Sequence, residues 1–255
     1  VYMGRIQTSA YDWASKYDPY NASPAFSVQS VFHRGSTFMA STSNTNGRQA
    51  NGVSYISPNM GGLTLRGDAA VGEQVTGTSG SAGYKDAQGF YALTADYDRG
   101  PLSIGAYAAQ LKNSGGTLNN ANAASIKDWG LGGIYDLKFA KLFLNYQDSK
   151  TSPASGASVN NKLWNTGVQI PVSTAGSVKF GYSQFKNDAA KSAKANAWAL
   201  SYWHSLSKRT TAYVGYQGIN NGANAAFSAG TPSNSVVPST DRNASSYVIG
   251  LRHVF

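Results

Sequence analysis

The chain has no cysteine, only three histidines, few acids and no long unbroken apolar run. Without cysteine it can form neither a disulfide-stapled secreted domain nor a thiolate metal site. No stretch approaches the ~18 apolar residues of a transmembrane helix, so any membrane crossing has to be made by strands. Charge is sparse as well, at 13% of 255 residues, and unbalanced: 21 Lys and Arg stand against 12 Asp and Glu, a formal charge of +9. The basic residues are scattered singly. That pattern argues against nucleic acid and leaves acidic lipid headgroups or small anions as partners of the excess charge. Catalytic signals are missing too. Ser201 precedes His204 by three, which in a strand puts the two on opposite faces. His33 and His253 lie far from both in sequence, and no Gly-x-Ser-x-Gly motif or metal-ligand spacing occurs. No enzyme activity, catalytic residue, metal or other cofactor is expected.

What is present is glycine, at 28 residues, and tyrosine, at 16, in a chain of mean hydropathy -0.32. That is too little aliphatic mass for a thick two-sheet core, but enough for a thin apolar skin around a polar interior. Turn signals cut the chain into twelve strand-length segments, near 1–6, 48–57, 62–73, 88–98, 102–112, 126–136, 141–150, 162–172, 177–186, 196–205, 209–218 and 247–255. Their connections alternate between long and short, which suits a barrel with long loops outside the cell and tight turns inside. The faces alternate to match. Tyr91, Leu93, Ala95 and Tyr97 oppose Ala92, Thr94 and Asp96, and Trp198, Leu200 and Tyr202 oppose Ala199, Ser201 and Trp203. In the last segment Tyr247, Ile249, Leu251, His253 and Phe255 share one face; Tyr247, His253 and Phe255 are expected to mark membrane interfaces. The expected fold is therefore all-β, an antiparallel transmembrane β-barrel forming one domain over residues 1–255.

Three motifs carry a resemblance. Tyr2-Met3-Gly4-Arg5 with Tyr11-Asp12 and Ser23-Pro24-Ala25-Phe26 resembles the strand and inward-folded third loop of Gram-negative general porins. Asn46 to Gly62 resembles the strand and turn that follow that loop, and Gly250-Leu-Arg-His-Val-Phe255 is similar to the ending of the beta-proteobacterial branch. The resemblance implies a sixteen-stranded homotrimeric barrel in an outer membrane, in contact with lipid and lipopolysaccharide. It also implies that residues 7–46 are the constriction loop. The twelve segments would then be the fifth to sixteenth strands, the first four being absent from this chain.

A pore acts through the field and width of its narrowest section. The resemblance places Arg5 and Arg48 in a basic cluster on the barrel wall. The phase of the strand puts Arg48 on the lumen side with Ser54, whereas Arg5 reaches the lumen only if Gly4 hosts a bulge. Arg34 and Lys16 in the loop and Arg66 on the third segment are further candidates, set against Asp12 and Asp18, the only acids in residues 7–46. The loop is short of acids at the positions where many relatives carry them, Asn21 and Ala25. The expectation is a passive channel for small hydrophilic solutes that prefers anions, with Arg34 and Arg66 alternatively solvated or paired to Asp18 or Asp68, and Asp18 alternatively tying the loop to the wall by accepting hydrogen bonds from backbone or arginine. A phosphate or sugar channel and a non-conducting adhesin remain open. Phe26, Phe32 and Phe38 would be the sliding surface of a sugar path, or simply anchors of the loop.

Overall fold

The structure, a computed structural model, describes residues 1–40, 47–71, 89–112, 123–153, 156–189, 191–230 and 237–254. Residues 41–46, which end the expected loop, and Phe255 lie outside the described residues. Twelve strands form one antiparallel sheet in simple sequence order. They are β1 (Tyr2–Gln7), β2 (Arg48–Ile56), β3 (Leu63–Val71), β4 (Gly89–Arg99), β5 (Leu102–Lys112), β6 (Ala123–Asp136), β7 (Lys141–Pro153), β8 (Val159–Pro171), β9 (Gly176–Asn187), β10 (Lys194–Ser205), β11 (Thr210–Asn221) and β12 (Ala244–His253). All twelve expected segments are strands, with ends displaced by a few residues at most. Among the described residues β1 and β12 do not pair with each other, so the sheet is open at these two edges.

Each strand sorts its residues as the period of two dictates. Leu65, Tyr91, Leu93, Trp129, Leu131, Leu144, Trp164, Leu200 and Val214 are exposed on the convex side. Thr94, Asp128, Asn145, Gln147, Asn165, Ser183 and Gln217 are buried on the concave side. An apolar exterior over a polar interior inverts a soluble core and fits a wall standing in lipid.

The polar interior is covered by the segment between β1 and β2. This stretch, expected only as a loop, contains two helices, α1 (Ser9–Lys16) and α2 (Val28–Arg34). Both are capped: the Thr8 hydroxyl accepts from the Tyr11 amide at 3.2 Å, and the Ser27 hydroxyl accepts from the Ser30 amide at 3.2 Å. One end of the segment touches β3, where Asp68 accepts from the Ser9 amide. Near its other end Arg34 reaches Gly230, beyond β11. A single short segment spanning nine strands requires the sheet to curl around it.

Two apolar clusters seat the segment. Trp13 and Tyr17 of the α1 region pack with Phe90, Tyr107, Leu111 and Ile126 of β4 to β6. Phe26 and Phe32 pack with Leu163, Phe185 and Ile219 of β8 to β11. Burying each large side chain favours docking by about 2 kcal/mol. The wall is notched to receive them. A Cβ on Gly132 would lie 2.6 Å from Tyr17 Cγ, and one on Gly167 would lie 2.5 Å from Pro19 Cγ.

Candidate functional site

The inner wall and the docked segment meet through a belt of polar contacts, and nearly every carboxylate on that side takes part. Arg66 on β3 donates through Nε to Asp68 Oδ1 at 3.0 Å and through Nη1 to Asp12 Oδ2 on α1. Its Nη2 binds the carbonyl of Gln7, and Asp68 also accepts from the Ser54 hydroxyl at 2.5 Å. Lys16, at the last turn of α1, bridges Asp96 and Asp98 at 2.9 Å each. On β6, Asp128 accepts from the Met39 amide at 2.5 Å and from the Tyr107 hydroxyl at 2.8 Å.

Neutral groups fasten the middle. Gln29 of α2 donates to the carbonyl of Ala14 at 2.7 Å, and Asn145 of β7 donates to the carbonyl of Tyr17 at 2.9 Å. Gln147 donates to Asn145 Oδ1 at 2.9 Å, which leaves its Oε1 to accept from His33 Nε2 at 2.9 Å. His33 Nδ1 is buried without a partner, and burial holds the imidazole down to about 4, well below its usual value.

The expected site residues separate into three kinds. Arg48 is exposed; its Nη2 lies 3.3 Å from Gln7 Oε1 and its guanidinium 5.7 Å from the centre of the Tyr11 ring. Arg5 is exposed within the irregular stretch where β1 and β2 shift register between Gly4 and Ile6, with Gly4 at φ +115. The extra residue of that irregularity belongs to β2, where two positions between Gly52 and Gln49 stand against Arg5 alone and Asn51 takes a left-handed φ of +52, so the bulge that the phase of Arg5 called for at Gly4 is not on β1.

Arg66, Lys16 and Arg34 are occupied. Arg66 faces inward as expected, but two carboxylates compensate it, so Asp68, the pairing held open, is one of its partners. Lys16 carries two carboxylates. Arg34 donates to the carbonyls of Gly230 at 2.8 Å and Ser228 at 3.4 Å, and burial pulls its pKa below the usual arginine value.

Asp18 departs furthest from expectation. It is buried and neither lines an opening nor reaches an arginine. Its carboxylate accepts from the Ala22 amide at 2.9 Å and the Tyr20 amide at 3.4 Å, closing the turn in which Asn21 and Ala22 have φ of +48 and +56. An Asp closing its own turn two to four residues on is a local habit of this side chain, and it prevails over a role at the wall. Burial pushes its carboxyl up despite those amides.

Lys179 and Arg252 were not singled out from sequence, although their phase was readable. Lys179 of β9 donates to the carbonyl of Pro19 at 2.9 Å and lies 5.2 Å from the centre of the Trp203 ring. Arg252 of β12 is on the inward face, opposite Thr211 of β11. Phe26, Phe32 and Phe38 are fully buried anchors with no face free for a passing ring. Tyr247 and His253 point outward on β12; Tyr247 packs against Tyr216 with ring centres 4.8 Å apart, and His253 Nδ1 is 2.9 Å from the Thr210 hydroxyl.

An apolar outer face, a polar inner face and a segment laid against the inner face describe the wall, and the sequence comparison decides the family. The model of the Gram-negative porin family matches residues 1–224. The chain belongs to that family. The porin is 35% identical over 170 residues to outer membrane porin protein 32 of Delftia acidovorans, a match covering 66% of this chain but 46%, under half, of that relative. Its fold follows that of an anion-selective porin from Comamonas acidovorans with a TM-score of 0.81 and 25% identity, over 99% of this chain and 73% of the other. The outer membrane protein OmpT of Vibrio cholerae shares the fold at a TM-score of 0.72 with 13% identity, over 98% and 74% of the two chains. The porin is thus an outer-membrane β-barrel protein of the Gram-negative type, and its open sheet corresponds to barrel wall in these structures.

Proposed function

We propose that the porin forms a water-filled channel for passive diffusion of small hydrophilic solutes, that it favours anions, and that it performs no catalysis. In this reading residues 7–46 take the place of the inward-folded third loop, and the twelve strands are those of a sixteen-stranded wall whose remainder would pair with the free edges of β1 and β12. A homotrimer is proposed by analogy; one Vibrio OmpT structure is described as a trimer.

The observation that carries the anion preference is how the charges are used. Asp12, Asp68, Asp96, Asp98, Asp18 and Asp128 are all engaged in fastening the segment or closing its turn. Arg48 and Arg252 have no carboxylate within ion-pair distance among the described residues. One unit charge about 6 Å from an ion in water contributes roughly 0.7 kcal/mol, and more between low-dielectric walls. The test is the reversal potential of the reconstituted channel under a KCl gradient. Chloride preference supports the reading; a cation preference overturns the selectivity but leaves the channel, and absence of stepwise conductance from folded protein overturns the channel itself.

A further inference from the structure

The connection that follows β11 folds back along the inner face. After Asn221 the chain turns at the rim, where the Asn224 side chain donates to the carbonyl of Ser192 at 3.2 Å, and then runs inward. By Gly230 it is level with Gln217, whose Oε1 accepts from the Gly230 amide at 3.0 Å. Gln217 is buried on the inner face, four residues before the end of β11, so the chain has re-entered by about 13 Å.

Its contacts fix one residue in particular. Asn221 holds both backbone groups of Phe227: Oδ1 accepts from the Phe227 amide and Nδ2 donates to its carbonyl, each at 2.9 Å. The Phe227 ring meets Phe32 of α2 at 4.9 Å and Phe185 of β9 at 5.0 Å between ring centres, edge-on in both cases. It fills the space that a Cβ on Gly35 would need, 2.6 Å from Phe227 Cε1. Arg34, at the end of α2, donates to the carbonyls of Ser228 and Gly230, and Ala225 and Ala229 join the cluster around Phe32.

The two helices differ accordingly. A helix laid on a wall keeps its other face toward the lumen, and α1 does so: Tyr11, Asp12, Ser15 and Lys16 are half-buried, whereas Ser9, Ala10, Trp13 and Ala14 are buried. No such face exists on α2. Every residue from Val28 to His33 is buried. Strands β8 to β10 cover one side of this helix, and residues 222–230 are placed to cover another.

We propose that residues 222–230 form a second inward segment that seals the α2 side of the lumen, with Phe227 as its positioning residue, and that solutes therefore pass on the α1 side, beside Tyr11 and Arg48. The solute path and its size limit rest on the reading of a channel; the seal over α2 does not. The test records single-channel conductance and the largest polyethylene glycol that enters the pore for the folded parent, Phe227→Ala, Phe227→Leu and Gly35→Val. Losing a half-buried ring leaves the segment undocked on the order of tenfold more often, so Phe227→Ala should add upward conductance steps and admit a larger polymer. Gly35→Val, which puts a side chain where the ring sits, should do the same. Phe227→Leu should stay close to the parent.

Unchanged conductance and polymer limit in Phe227→Ala would overturn the seal, as would a fall in both, which would make the segment a prop for an open pore. Equal effects of Phe227→Ala and Phe227→Leu would overturn Phe227 as the positioning residue. A second measurement is independent of conduction and uses the lack of cysteine in the chain. In Val31→Cys on α2, a membrane-impermeant thiol reagent should react slowly, and on the order of tenfold faster once Phe227→Ala is added. Tyr11→Cys on α1 should react fast in both backgrounds. Equal rates at Val31→Cys with and without Phe227→Ala would overturn the cover over α2. A protein that behaves as expected in labelling yet carries no current would sink the channel and leave the seal standing.

Discussion

Arg66 of β3 and Asp12 of α1 meet through Nη1 and Oδ2 across the join between wall and inward segment, while Arg66 Nε holds Asp68 at 3.0 Å. One cation thus serves two carboxylates, and Arg66 contributes position more than free positive charge. Arg66→Met should leave Asp68, buried, without its cation and Asp12, half exposed, without its anchor. Removing one member of a buried pair costs about 3 kcal/mol or more. Urea unfolding of the folded barrel should show that loss, and the reversal potential should move toward cations. Adding Asp68→Asn should recover much of both. Independent, additive effects would mean the triad does not act as a unit.

Arg48 makes the opposite case. It is exposed, and its contacts are Gln7 and the Tyr11 ring. Arg48→Ala should leave the unfolding midpoint within about 0.5 kcal/mol of the parent, as surface substitutions usually do. The chloride-to-potassium permeability ratio should fall about threefold, the equivalent of one unit charge near the ion path. The change should be larger at 0.01 M than at 1 M salt, where the field is screened within ~3 Å. A ratio that ignores this substitution would remove Arg48 from the constriction.

His33 gives the docked segment a pH dependence. Its imidazole is held down to about 4 by burial against an ordinary value of 6.5, so between those limits the unfolded chain binds a proton that the folded one refuses. Stability should therefore fall as pH drops from 6.5 toward 4, by about 1.4 kcal/mol per unit and about 3 kcal/mol in all, with this contribution intact above pH 6.5. Asp18 works the other way. Burial raises its carboxyl pKa, so ionising it opposes folding, and stability is gained as pH falls through its raised range. Comparing the pH slope of the parent with that of His33→Gln isolates the histidine. An unchanged slope would place the acid sensitivity elsewhere.

The wall was legible because a strand in lipid writes itself in alternation: Tyr91 and Leu93 against Ala92 and Thr94 need no tertiary knowledge. Fold and family followed from that pattern and the three motifs. The inward segment was legible only as a span. Thr8 and Ser27 are cap residues preceding α1 and α2, a readable helix-start signal, but the apolar positions behind them face a wall rather than forming a long stripe. Basic candidates were easy to name and hard to rank. Whether Arg66 or Arg48 is left with free charge depends on Asp12 and Asp68, one in another element and one two residues away, and phase does not show which arginine they reach. Asp18 was open to two readings, and the structure gives it the backbone amides that one of them named, but those of its own turn, Tyr20 and Ala22, which leave no trace in side-chain chemistry.

The notches in the wall supply a last prediction. Gly132 and Gly133 are neighbours on β6 that face opposite sides. On the inner side, a Cβ at Gly132 would lie 2.6 Å from Tyr17 Cγ and 2.9 Å from Trp13 Cζ2, atoms of rings already packed against the wall. On the outer side, a Cβ at Gly133 would lie 3.9 Å from Ile104 Cγ2, an ordinary contact. Gly132→Val should therefore overpack the seat of α1 and cost about 1–3 kcal/mol, whereas Gly133→Val should not. Because the segment sits on the lumen side, α1 can yield only toward the pore, so single-channel conductance should fall in Gly132→Val and stay at the parent value in Gly133→Val. If the two variants behaved alike in unfolding and conductance, Tyr17 and Trp13 would not be seated on β6 in the membrane, and the inward segment would have to be held by its α2 half alone.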